Sequence, residues 1–267
     1  MTRVAIAGFG AIGRELARRL AHGVPGVAVT AVGARNRAKV ETELHALDLD
    51  AVVEPIDELE PYADLVVECA PAELLPAIAE PFLRAGKEVI VLSAGALLDH
   101  PQLVELAAEH GGTISIPTGA LLGLDALAAC AESEIASVRL TTRKPVAGLI
   151  GAPGLEERGV RIDAGLDTPV RVFAGTAREA AHGFPANLNV AAALALAGIG
   201  ADRTEVEIWA DPGVTRNIHK IEVISDVANL TMTIENVPSE NPRTGRITAL
   251  SVVSLLRKRN AHLKVGS

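Results

Sequence analysis

Three glycines near the amino terminus and one histidine far downstream are the residues whose types and spacing could do chemistry. Gly8, Gly10 and Gly13 stand at G-x-G-x-x-G spacing, after the apolar run Val4 to Ala7 and ahead of Arg14 to Leu20. The run suits a buried parallel strand, and the segment after the glycines reads as the opening of a helix. In that context Gly8 permits a tight turn, Gly10 lets a pyrophosphate approach the backbone, and Gly13 lets helix and strand pack closely. Phosphates would rest on the free N–H groups and positive dipole end of the helix, with Ala11 and Ile12 in the same turn. The pattern predicts a dinucleotide site; a glycine-rich turn without a ligand is the alternative.

A dinucleotide that carries hydride leaves the protein to move the proton. Seven histidines are available. His22, His45, His100, His110 and His262 read as solvated positions, and His182 falls in a turn. His219 differs. In Asn217-Ile-His-Lys-Ile-Glu-Val223, a period of two places Asn217, His219, Ile221 and Val223 on one face. A histidine beside an amide on an otherwise apolar face is either a satisfied core residue or a catalytic base, and spacing leaves both open.

The elements that must position these groups follow from the hydrophobic pattern. Val27 to Val32, Val52 to Pro55, Asp64 to Cys69, Glu88 to Leu92 and Thr113 to Ile116 read as short strands, with helices at about 72–85 and up to His110. Strands alternating with helices predict βαβ units and a parallel sheet, whose ligands bind at the carboxyl ends. There lie Cys69-Ala70-Pro71, Ser93-Ala-Gly95 and Thr118-Gly-Ala120, which could floor a nicotinamide pocket or be plain loops. After the second strand an NAD site usually carries an acid for the ribose, but Gly33-Ala-Arg35-Asn-Arg37 has two arginines instead. Arg35 could accept a 2′-phosphate, so NAD or NADP is expected; two surface charges are the alternative.

From Ser137 the pattern changes. Val138, Leu140, Thr142 and Lys144 share one face of an alternating strand, and 151–166 reads as loop. A strand at 170–173, a helix opened by the capping box Thr176 to Glu179, and an alanine-rich helix at 187–199 follow. Strands at 205–210, 217–225 and 228–237 come next, then a helix at 244–258 that packs back on the first domain. The fold class is therefore α/β: an N-terminal Rossmann domain with a parallel sheet, then a C-terminal α+β domain with an antiparallel or mixed sheet. The expected division is residues 1–122 with 243–267 for the dinucleotide, and 123–242 for substrate, catalysis and dimerisation.

Bulk properties remove other classes. Net charge is −8 and aromatics are 2%, which argues against nucleic acid as a partner. No apolar run reaches the roughly 18 residues of a membrane helix. Cys69 and Cys130 make neither a metal-ligand spacing nor a disulfide framework, so free thiols in the cytoplasm and no metal are expected.

Five stretches together resemble the L-aspartate dehydrogenase family, along essentially the whole chain. They are Val4-Ala-Ile-Ala-Gly-Phe-Gly-Ala-Ile-Gly13, Ile116-Pro-Thr-Gly-Ala-Leu-Leu-Gly-Leu-Asp125, Phe184-Pro-Ala-Asn-Leu-Asn-Val-Ala-Ala-Ala193, Asp211-Pro-Gly-Val-Thr-Arg-Asn-Ile-His219 and Glu240-Asn-Pro-Arg-Thr244. The first is common to many dehydrogenases; the last three are distinctive together. The resemblance implies oxidation of L-aspartate to iminoaspartate by NAD or NADP. The imine would give oxaloacetate and ammonia or enter NAD biosynthesis.

The family's catalytic histidine falls on His219 and its nicotinamide contacts fall on Ala120 and Asn189, although Asn189 could merely cap a helix. Thr118 stands where the family often has Ser. A dicarboxylate needs cationic or N–H partners. Lys144 is the first candidate, with Asn217 and Thr118 beside it and Arg216 and Arg243 behind, unless these are surface charges. His219, with an ordinary pKa near neutrality, would take the ammonium proton or activate the hydrolytic water. A dihydrodipicolinate- or homoserine-type reductase, or a nucleotide sensor without turnover, are the rival readings.

Overall fold

The strand β1 (Thr2–Ala7) is buried from Val4 onward, and its alternating side chains feed two separate cores. The computed structural model describes residues 1–185, 189–237 and 245–266. They fall into two compact units, the first Met1–Gly119 with Thr248–Val265 and the second built on Ala120–Ile247.

In the first unit β1 is followed by α1 (Ala11–Ala21), β2 (Val27–Gly33), α2 (Arg37–His45), β3 (Val52–Glu54) and β4 (Leu65–Glu68). Then come α3 (Leu75–Arg84), β5 (Glu88–Val91), α4 (Ala94–Leu97), α5 (Gln102–His110) and β6 (Thr113–Ser115). The strands pair in parallel in the order β3-β2-β1-β4-β5-β6. Val4 and Ile6 pack with Leu16 and Leu20 of α1, while Ala5 and Ala7 pack on the other side with Ile78 and Phe82 of α3. Both faces of the sheet are thus covered, which is why its strands read as unbroken apolar runs. Strand order reverses between β1 and β4, so a crevice opens at their carboxyl ends.

The C-terminal helix, Ile247–Arg259, places Val252 and Leu256 in the core beside α1. Arg259 pairs with Glu88 at the start of β5. Thr244, the expected start of this helix, lies outside the described residues.

The second unit holds α6 (Leu124–Ala131), β7 (Ile135–Lys144), α7 (Pro153–Glu157), β8 (Val170–Thr176), α8 (Ala177–Gly183) and α9 (Asn189–Ala197). Strands β9 (Thr204–Ala210), β10 (Asn217–Ser225) and β11 (Asn229–Asn236) complete it. The sheet order is β11-β10-β7-β9-β8, with β7 and β9 parallel and the other pairs antiparallel. It is a mixed sheet. Val138, Leu140, Val206, Ile208, Ile221 and Val223 form its buried face. The opposite face carries the pairs Arg139–Glu205, Arg171–Glu207 and Lys220–Glu222.

The capping box forms as expected: Thr176 accepts from the Glu179 N–H and Glu179 accepts from that of Thr176. Two helices depart from expectation. α7 interrupts the loop expected at 151–166, because Pro153 opens a turn and Gly154 lets it lie against Phe184 and Gly183. α6 begins after Gly123, whose left-handed backbone (φ +68) releases an alanine-rich stretch into a helix.

The close approach of α1 to β1 gives a direct test. A methyl group at Gly13 would lie 2.1 Å from the Gly8 carbonyl oxygen, a backbone atom that cannot rotate away. Gly13→Ala is expected to lower the unfolding free energy by about 1–3 kcal/mol, read from urea midpoints.

Candidate active site

At the crevice, the glycines divide by what surrounds them. Gly8 has φ +104, and a Cβ there would come 2.8 Å from the Cys69 carbonyl oxygen at the end of β4. Its N–H donates to the Gly33 carbonyl (3.0 Å), so the turn is held against β2 as well. Gly8 and Gly13 are therefore required by the protein's own packing. Gly10 is not. A Cβ there would meet nothing within 4 Å, and the residue stands at the N-cap of α1 with no side-chain cap on the helix. Nothing in the protein demands a glycine at that place, whereas a diphosphate does. Ala11 and Ile12 lie in the first turn of α1, a turn without an acidic residue. One residue after Gly13, Arg14 Nε is buried without a hydrogen-bond partner among the described residues, an orphan donor. Open space above Gly10, uncapped N–H groups and the orphan Nε–H of Arg14 fit a dinucleotide diphosphate.

After β2 the two arginines differ. Arg37 pairs with Glu41 (2.8 Å) and Glu54 (3.8 Å), and these carboxylates raise its pKa. Asn36 caps α2 by accepting from the Lys39 N–H. Arg35 stands exposed beside them, with no ion pair among the described residues.

Cys69 and Ala70 follow β4. Burial, with a smaller contribution from the Glu68 charge, pushes the Cys69 thiol well above its ordinary pKa. Glu68 itself is fully buried in an otherwise apolar strand. Its Oε1 accepts from the Ala70 N–H (3.0 Å) and the Ser93 hydroxyl (3.1 Å), its Oε2 from the N–H groups of Leu92 (3.2 Å) and Ser93 (2.8 Å). Burial raises its pKa, and the four donors offset that rise only in part. Thr118 is exposed in the loop after β6, where the Gly119 N–H donates to Ser251 Oγ (3.1 Å).

In the second unit the polar residues collect at one end of the buried sheet face. Register pairs His219 with Thr142, and Oγ1 of Thr142 shares a 3.0 Å hydrogen bond with Nδ1 of His219. Both side chains are buried, as are Lys144 two residues along β7 and Asn217 two residues back on β10. Burial first, and then the charge of Lys144, lower the imidazole pKa to about 3. The expectation of a pKa near neutrality is thus corrected: the ring is neutral because water is excluded and a cation stands nearby.

Asn217 pairs with buried Asn236, whose amide donates to the Ala120 carbonyl (2.8 Å). Ala120, Asn217, His219 and Lys144 therefore belong to one cluster, together with Thr142 and Asn236. Arg216 is exposed on the loop before β10, and Arg243 lies outside the described residues. Asn189 is the first described residue of α9, a helix packed on α6, α8 and β9. The loop is anchored by Asp211, which accepts from Arg143 (3.0 Å) and from the Gly213 N–H (2.9 Å).

Sequence reasoning overlooked Arg14, Glu68 and Asn236 as site residues and saw Thr142 only as a strand position. A carboxylate ending an apolar strand was the available signal for Glu68; Asn236 faces Asn217 only through strand register.

A doubly wound sheet with a diphosphate-shaped turn, joined in one chain to an α+β unit with a buried histidine, defines a nicotinamide-nucleotide oxidoreductase of the Rossmann class. Residues 8–117 match the family described as homoserine dehydrogenase, NAD binding domain, and residues 125–259 match aspartate dehydrogenase, C-terminal. L-aspartate dehydrogenase 3 of Bordetella bronchiseptica is 56% identical over 265 residues, covering 99% of this chain and 97% of that protein. The L-aspartate dehydrogenase of Bradyrhizobium diazoefficiens is 55% identical, covering 99% and 94%. The crystal structure of aspartate dehydrogenase from Thermotoga maritima shares the fold, with TM-score 0.76, 24% identity and both chains covered in full. The chain belongs to the L-aspartate dehydrogenase family. Among the described residues no helix is long and apolar enough to cross a membrane.

Two outcomes are expected. Gly10→Ala should leave the unfolding midpoint unchanged and weaken nucleotide binding at least tenfold, measured by calorimetric titration. For His219, the native pKa lies below the ordinary 6.5, so only the unfolded chain takes up a proton between about pH 6.5 and 3. Its stabilising contribution is whole above that window and falls as pH drops through it, by at most about 1.4 kcal/mol per pH unit. The difference in unfolding free energy between wild type and His219→Gln should therefore shrink from pH 7 to pH 4. A constant difference would mark an ordinary exposed histidine.

Proposed function

We propose that the chain oxidises L-aspartate to iminoaspartate with NAD or NADP, the imine then yielding oxaloacetate and ammonia or feeding pyridine-nucleotide synthesis. The observation that carries this reading is the buried His219 set between the Thr142 hydroxyl and the Lys144 charge. Residues 1–122 with 243–267 are assigned to the nucleotide, and residues 123–242 to substrate, catalysis and dimerisation.

In this reading the Gly8–Gly13 turn with Ala11 and Ile12 binds the diphosphate. Arg35 meets a 2′-phosphate where one is present, and Cys69, Ala70, Ala120 and Asn189 flank the nicotinamide half. When bound, the nicotinamide accepts hydride from the substrate Cα. That transfer requires a neutral amine, and His219 takes the ammonium proton. Lys144, Asn217 and Thr118 hold the carboxylates.

The low pKa of His219 then has a use. The substrate carboxylates beside Lys144 offset the cation that depresses the ring and raise its proton affinity. The imidazole becomes a competent base only with substrate in place. The likeness to homoserine dehydrogenase is confined to residues 8–117, so it speaks for the nucleotide and not for the substrate.

A homodimer through the five-stranded sheet is supported by its outer face, where Arg143 lies over the Trp209 ring among paired charges. A cytoplasmic setting is supported by two free thiols, Cys69 and Cys130.

Reduction of NAD and NADP followed at 340 nm against a panel of amino acids tests the reading: L-aspartate should give the largest kcat/KM. His219→Ala should lower kcat by about 10²–10⁴-fold while nucleotide binding stays near normal. Unchanged turnover in that variant would remove His219 from the chemistry.

A further inference from the structure

The carboxylate of Glu68 performs a task that the chemistry above does not use. It lies at the carboxyl end of β4, fully buried, and ties that end to the end of β5 through Ala70, Leu92 and Ser93. Three of its four donors are backbone N–H groups, which cannot reverse their polarity, and the fourth is the Ser93 hydroxyl. Each carboxyl oxygen already receives two hydrogen bonds. A proton on Oε2 would face two backbone donors, and one on Oε1 could be accepted only by the Ser93 hydroxyl, so these contacts favour the anion against the opposing effect of burial.

Its place in the sheet gives the anion a target. In the order β3-β2-β1-β4-β5-β6 the exposed Arg35 marks the adenosine side at the end of β2. The nicotinamide side is then the one at the ends of β4 and β5, across the switch point. A buried charge there is poorly screened by salt. The oxidised nicotinamide ring carries a positive charge and the reduced ring does not.

We infer that Glu68 is a positioning residue that fixes the two loops under the nicotinamide half of the cofactor, and that its negative charge favours the oxidised, cationic ring over the reduced one. This rests on the nicotinamide-enzyme reading above. Glu68 is not a catalytic residue in this account: it reaches the reacting ring through its field and through the loops it holds.

Calorimetric titration of the full-length protein with oxidised and reduced cofactor tests it. In Glu68→Gln, which keeps the volume and removes the charge, the Kd for the oxidised form should rise at least tenfold. The Kd for the reduced form should rise at least threefold less, so that their ratio shifts. In Glu68→Asp, which keeps the charge, the ratio should stay at the wild-type value even where both affinities fall. Equal changes for both forms in Glu68→Gln, or a shifted ratio in Glu68→Asp, would overturn the inference and leave a purely structural residue.

Ser93→Ala strips one donor and leaves the charge less neutralised, so it should move the ratio toward the oxidised form. This variant decides the matter where Glu68→Gln does not fold, and no movement of the ratio overturns the inference. Wild-type protein that binds neither cofactor form would defeat the nicotinamide reading itself, whereas binding with an unmoved ratio in the variants defeats this inference alone.

Discussion

Enclosing an imidazole near a lysine charge costs free energy, and most of the second unit is arranged so that the cost can be borne. Strand register brings Thr142 opposite His219, supplying the one hydrogen bond the ring has among the described residues. Below that pair, Leu140, Ile221, Val138 and Val223 form an apolar sheet face whose burial offsets a few polar positions at its end. The result is a neutral ring at physiological pH, hydrogen-bonded to a hydroxyl; in the proposed reaction it gains a proton when the substrate carboxylates arrive. A histidine in water would already be partly protonated and would gain little from the substrate.

A similar economy governs the nucleotide unit. Two of the three motif glycines are compelled by contacts with Cys69 and with each other, so they speak to folding. Gly10, with open space above it, speaks to a ligand. The two arginines after β2 divide likewise: Arg37 is committed to Glu41 and Glu54, while Arg35 is not. The motif is thus part scaffold and part site, and only the surroundings of each residue tell which.

Much of this was legible in the residues. Apolar runs with period-two and helical spacing disclosed the parallel sheet and the alternating strands, because each must bury a continuous face. The motif glycines were legible because few turns tolerate that spacing. What escaped detection depended on long-range pairing. Glu68 looks like the end of a strand until Leu92 and Ser93 are seen to donate to it. Asn236 has no local mark and acquires a role only through register with Asn217 and its bond to Ala120. The depressed pKa of His219 was invisible for the same reason: it arises from burial and from a lysine on another strand. α6 was missed because alanine-rich sequence after a left-handed glycine carries little periodic signal.

The central claim is that His219 is neutral and enclosed at rest and gains proton affinity from a dicarboxylate beside Lys144. Two-dimensional ¹H–¹⁵N NMR of the imidazole nitrogens, followed against pH with and without a non-reacting dicarboxylate and nucleotide, reports this most directly. The account predicts a ring that stays neutral to about pH 4 when free and titrates at distinctly higher pH in the complex. Titration near pH 6.5 in both states would contradict it.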